Sequence, residues 1–155
     1  MEALRRRSWW VLVLFAAGIV VFGAQDVVMG PSGDPAIAAG LTGRTHEELA
    51  AESDAAYRMY DHTARTQGLS LIAAGTLLLA VLLVPYRRGE RWAWRAMWLM
   101  PAWSFSIAAT YPAFGLVRGA APPPPLVSGS IIGVLSALAL LVDRARFAGR
   151  GLTAR

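Results

Sequence analysis

The chain has 155 residues, of which 55% are hydrophobic and only 16% charged, with no cysteine and a mean hydropathy of +0.44. A soluble domain carries about 25% charged residues, so this composition excludes a disordered chain and leaves too few polar groups to cover a water-soluble globule. The absence of cysteine excludes a disulfide scaffold, a thiolate nucleophile and a CxxC redox pair. The net charge of +5 is carried by 15 basic residues, every one of them arginine.

Four stretches, 8–25, 66–86, 96–117 and 119–142, contain no Asp, Glu, Lys, Arg or His. Each is long enough for a transmembrane helix, which needs roughly 17–25 apolar residues, and none shows the polar face of a soluble amphipathic helix. The expectation is an all-α membrane protein, a four-transmembrane-helix bundle with spans at about 8–25, 67–86, 93–117 and 126–142. The first stretch also reads as a signal peptide. Phe22, however, stands where a cleavage site before residue 25 wants a small residue, which favours a retained span.

Arginine placement gives an orientation. The N-terminus (Arg5, Arg6, Arg7), the loop at 87–95 and the tail (Arg144, Arg146, Arg150, Arg155) hold eleven arginines against three acids. Residues 26–65 and the short loop at Arg118 hold four against seven. The positive-inside rule places both termini in the cytoplasm and segment 26–65 outside the cell (inner) membrane of a bacterium. The charge is thus topological. No nucleic-acid recognition motif accompanies it, and no nucleic-acid partner is expected.

Segment 26–65 reads as a small helical extracytoplasmic cap. Gly30-Pro31-Ser32-Gly33 suggests a turn, and Asp34-Pro35 a helix start with Gly40 as its stop. Thr45-His46-Glu47-Glu48 fits a capping box. A further start at Ser53 or Asp54 leads through Tyr57, Tyr60 and Ala64 into the second span. The loop 85–92 makes spans two and three antiparallel neighbours. Trp9, Trp10, Trp92, Trp94 and Trp98, with Arg91 and Arg95 offering cation–π contacts, are expected to anchor the membrane interface. Pro101 implies a kink in span three with the Met97 carbonyl unpartnered, and Pro112 a second bend or an end. Prolines 122–125 stiffen the approach to span four. There Gly129, Gly133 and Ala137 form a small-residue ridge, matched on span three by Ala102, Ser106 and Thr110.

No ionisable group lies within the four charge-free spans, no histidine pair suits haem, and His46-Glu47 does not open an HExxH motif because residue 50 is Ala. No catalytic residue, metal ligand or cofactor is therefore expected. One polar group stands at the outer interface: Arg58, Asp61, His62 and Arg65, with Asp26 and Tyr111 within reach. Arg58–His62 and Asp61–Arg65 are both i,i+4 pairs, consistent either with a headgroup or substrate site or with a solvated face that orients the cap.

The run from His62 to Trp103, with Gly68, Gly75, Arg87-Arg88-Gly89-Glu90-Arg91-Trp92-Ala93-Trp94 and Pro101, resembles uncharacterised small four-span bacterial membrane proteins carrying an RRGxRWAW-type inner loop, and in overall size DoxX-type proteins. The resemblance implies a fold and transfers no catalytic residue. DoxX-type proteins have been linked to quinone or thiol redox chemistry, and the lack of cysteine argues against a thiol role. The leading expectation is an accessory or structural protein that binds membrane lipids and a membrane-protein partner or a second copy. A lipid- or quinone-handling enzyme with an interfacial site at Asp61, His62 and Arg65 is the first alternative, and a small dimeric transporter the second.

Overall fold

The computed structural model describes residues 2–119 and 121–148. The tail arginines Arg150 and Arg155 lie outside the described residues, as do the side chains of Arg5, Arg6 and Arg7. The described chain is helical, without a strand: α1 (Glu2–Met29), a 3-10 turn (Gly30–Gly33), α2 (Pro35–Thr42), α3 (His46–Glu52), α4 (Asp54–Val81), a π-helical turn (Leu82–Tyr86), α5 (Arg91–Ala96), α6 (Leu99–Ala113) and α7 (Pro124–Ala148). Among the described residues three helical stretches are long and apolar enough to cross a membrane: Ser8–Gly33, Asp54–Tyr86 and Pro124–Ala148.

The expected helix signals between 26 and 65 hold with one correction. Thr45 Oγ1 accepts from the Glu48 amide at 3.2 Å while the Glu48 carboxylate accepts from the Thr45 amide at 2.8 Å, a complete capping box. Ser53 Oγ caps α4 by accepting from the Ala56 amide. Gly40, however, does not stop α2. The helix runs on to Thr42 and ends at Gly43, whose φ of 74° is the left-handed cap that glycine favours. Gly40 is instead a packing position: a Cβ there would lie 2.8 Å from Pro123, and its carbonyl accepts from the amides of Arg118 and Gly119. This ties α2 to the loop before α7.

α1 is the central helix. It packs along α4 on one side and α7 on the other, and α6 packs on α7. The α1–α4 crossing is backbone to backbone. A Cβ on Gly23 would stand 2.6 Å from the Gly68 carbonyl oxygen, and a Cβ on Gly68 2.6 Å from that of Gly23. One heptad away a Cβ on Gly75 would meet the Ala16 carbonyl at 2.9 Å. Small residues seven apart on both helices thus lie opposite one another, the spacing that keeps two nearly antiparallel helices in register. Gly129 and Gly133 of α7 do face α6. Their neighbours are Ser104, Phe105 and Ala108, and the expected ridge residues Ala102, Ser106 and Thr110 lie on the exposed side of α6. Ala137 is half-buried.

The prolines act by restarting helices. Pro101 does not kink a continuous span. α5 ends at Ala96, the Met97 carbonyl accepts from the Met100 amide at 3.0 Å, and α6 begins with Pro101 in its first turn, where no amide is missed. Pro112 falls in the last turn of α6, which closes at Gly115 with φ 60°. Pro85 lies inside the π-helical turn that extends α4. α4 and α6 are not a packed pair as the short loop suggested. They face each other across a cleft of about 610 Å³, walled by Ala74, Leu77 and Val81 on one side and Met100, Ala102 and Trp103 on the other.

The glycine contacts give a direct test. Gly68→Ala and Gly129→Ala should each lower the melting temperature in detergent, because the added methyl meets a backbone oxygen that cannot swing aside. Gly18→Ala, with nothing within 4 Å, should leave it unchanged or raise it through helix propensity, by about 0.5–1 kcal/mol. Equal melting temperatures for all three would show that these crossings are not close.

Candidate functional site

Two polar groups stand out, one at each end of the bundle. At the end formed by the C-terminus of α1 and the start of α4, Arg65 donates through Nε to Asp61 Oδ2 at 2.9 Å and through Nη1 to the carbonyls of Val27 at 2.6 Å and Val28 at 3.1 Å. These carbonyls belong to the last turn of α1, whose oxygens have no intrahelical partner. Arg65 is therefore the cap of α1, and Asp61 holds the guanidinium in place. The turn at Gly30 sits directly over the pair, since a Cβ there would run into the Asp61 carboxylate. Its φ of 58° and the lack of a side chain let the chain pass.

The other expected members divide. Arg58 pairs with Asp54 at 2.7 Å, both side chains three-quarters exposed, and not with His62. His62 is exposed, and its backbone carbonyl accepts from Thr66 Oγ1. Asp26 is half-buried with its Cβ against Gly68, and Tyr111 is buried at the end of α6. The contacts described for Arg58, Asp61, His62, Arg65, Asp26 and Tyr111 run to different partners. Arg65 joins Asp61 of α4 to the last carbonyls of α1 through Nε and Nη1.

At the opposite end the structure buries a carboxylate that sequence reasoning left at the edge of the last span. Asp143 is 1% exposed and lies in the second-last turn of α7. Tyr86, fully buried, donates to its Oδ2 at 2.6 Å, and Ser8 donates to its Oδ1. One residue each from α1, the π-helical turn and α7 thus meets at a single side chain. The π turn inserts Pro85 without a helix break and rotates the following residue inward, and Tyr86 then packs its ring 4.9 Å from Phe147. A buried carboxylate held by two hydroxyl donors is a satisfied polar lock. The sequence signal for it was faint: a lone acid among arginines, directly after an apolar run, with a tyrosine at the end of the second span.

The same end carries the interface aromatics. Arg87, not Arg91 or Arg95, stacks on Trp9, its guanidinium carbon 5.4 Å from the ring centre, and Arg146 covers Phe147 at 5.6 Å. Trp10 and Trp92 are exposed, and Trp92 donates to Glu90. Among the described residues no group of three or more His, Asp or Glu side chains is placed to hold a metal ion. Comparison with family models, with curated proteins and with solved structures finds no match to this chain.

Both groups make measurable claims. Tyr86→Phe should cost about 1–3 kcal/mol of stability, the penalty for leaving a buried acceptor short of a donor. In an Asp143→Leu background the same change should cost little, a coupling that a double-mutant cycle reads directly. At the other end, Asp61→Asn and His62→Gln should each stay within about 1 kcal/mol of the parent. Arg65→Ala should exceed both, because the carbonyls of Val27 and Val28 lose their donor.

Proposed function

We propose that this chain is a non-catalytic accessory protein of a bacterial inner membrane, which receives an apolar helix of a partner membrane protein in the cleft between α4 and α6. In this reading α5 and α6 together make a fourth crossing. α6 alone, with 15 residues, spans about 22 Å and falls short of the roughly 30 Å hydrocarbon layer, whereas 91–113 as a whole does not. Both termini then lie in the cytoplasm, residues 26–65 lie outside, and α2 and α3 form the extracytoplasmic cap. The arginine distribution supports this orientation.

The observation that carries the proposal is the cleft itself. Its walls offer Ala74, Ala96, Ala102 and Ser106, small side chains that let another helix approach closely, between larger Leu, Val, Met and Trp groups. No ionisable side chain lines it, which favours an apolar occupant over a substrate undergoing proton or charge transfer. A lipid- or quinone-handling enzyme would need a pocket joining Trp103 and Tyr111 to the outer polar group. Trp103 lines this cleft, while Asp61 and Arg65 do not.

A photoactivatable side chain at Leu77 or at Ala102 tests the reading in native membranes. The expected result is one protein adduct of discrete mass from both positions, lost when Ala74→Trp fills the cleft and retained when Val134→Trp enlarges the far face of α7. Adducts to lipid alone from both positions would overturn it.

A further inference from the structure

We propose that the groove between α5 and the last turns of α7 binds the phosphate headgroup of an anionic phospholipid. The proposal shares the membrane placement argued above but is independent of the α4–α6 cleft, which lies against other residues. The groove holds about 340 Å³ and is lined by Arg91, Trp94, Arg95, Trp98, Arg144 and Phe147. Its floor is held in place from several directions. Trp94 donates its indole N–H to the Leu140 carbonyl at 3.0 Å, stacks with Phe147 at 6.2 Å between ring centres and meets Trp98 edge-on at 6.1 Å. Arg91 is tethered by Nε to the Phe147 carbonyl at 2.9 Å and by Nη2 to the Ala148 carbonyl at 2.8 Å, and its remaining N–H groups are left to the groove.

Among the described residues no acidic side chain neutralises this groove. Among the described side chains neither Arg95 nor Arg144 makes an ion pair. The nearby acids are engaged elsewhere: Asp143 is buried under Tyr86 and Ser8, and Glu90 accepts from Trp92. Three guanidinium groups around a fixed aromatic floor form a site that an anion completes, and the planar fork of arginine suits phosphate oxygens.

The surroundings select a lipid over a free anion. From Leu141, which also lines the groove, an exposed apolar stripe continues through Leu138 to Val134 at three- and four-residue spacing along α7. A ligand with a negative head and a hydrocarbon tail fits both parts at once. Interfacial tryptophans at this end set the groove at headgroup depth, and basic pockets between helices on the cytoplasmic side suit anionic lipids.

The test uses the purified full chain in neutral detergent and native mass spectrometry, with phosphatidylglycerol, phosphatidylcholine or soluble glycerol phosphate added at equal concentration. The wild type should retain one phosphatidylglycerol in preference to phosphatidylcholine and should not retain glycerol phosphate. In Arg95→Gln/Arg144→Gln the preference should fall on the order of tenfold with an unchanged melting temperature, since neither side chain holds the fold together. The charge-matched variant Arg44→Gln/Arg58→Gln, altered at the opposite end, should keep the preference. Equal retention of both lipids, or an equal loss in the Arg44/Arg58 variant, would overturn the site. Retention of glycerol phosphate as strongly as the lipid would overturn the lipid assignment. Should the Arg95/Arg144 variant melt early, Arg95→Lys/Arg144→Lys keeps the charge and removes the fork. A preference weakened in that protein sustains the proposal, and one left at the wild-type level overturns it.

Discussion

The contact of the α1 backbone with the α4 backbone at Gly23 and Gly68 is the constraint on which the rest of the structure depends. Helices in hydrocarbon gain nothing from burying apolar area against one another, so their association rests on dispersion at short range and on whatever polar bonds they share. Two glycines facing each other bring carbonyl oxygens to positions a Cβ would occupy, and the same closeness repeats a heptad later at Ala16 and Gly75. Once α4 is seated along one side of α1, its N-terminal turns deliver Arg65 to the end of α1 and its C-terminal π turn delivers Tyr86 to the other end of the bundle. Both polar groups are consequences of that single crossing.

Polar chemistry in this protein is accordingly spent on joining elements. Arg65 caps a helix with which it shares no local sequence, 37 or 38 residues away. Arg91 does the same for α7 across 56 or 57 residues. Asp143 accepts from two other elements at once. The Tyr86–Asp143 bond, being buried, gains strength from the low dielectric around it and would be costly to leave half-made. Arg95 and Arg144, for which no such joining bond is described, line the groove beside Arg91.

What the packing leaves open is as informative. α6 leans on α7, α4 leans on α1, and between α4 and α6 no small residues meet to close the gap. The apolar cleft that results has its small side chains on view, and a bundle that satisfied itself would have turned them inward. Placing the unfilled face on the side of Ala102 and Ser106 follows from the pairing of Gly129 with Ser104, because the two faces of α6 cannot both meet α7.

Sequence by itself determined the apolar helices, the capping box at Thr45 and Glu48, the start at Ser53 and the segregation of arginine, because each is a short-range property: the length of an uncharged run, a hydroxyl three residues from an amide, a charge count per loop. The roles of the six residues of the expected outer site were not legible in the sequence. Whether Arg65 binds an anion or caps α1 depends on where α1 ends in space. Tertiary structure alone decided that Gly40 packs on Pro123 while Gly43 ends the helix, that Ser104 and Ala108 rather than Ala102 and Ser106 meet the α7 glycines, and that Asp143 is buried. The periodicity of α6 is nearly the same on every face, so composition cannot tell which stripe finds a partner. An acid one residue beyond an apolar run is solvated or buried according to whether a tyrosine hydroxyl, 57 residues earlier, is turned toward it.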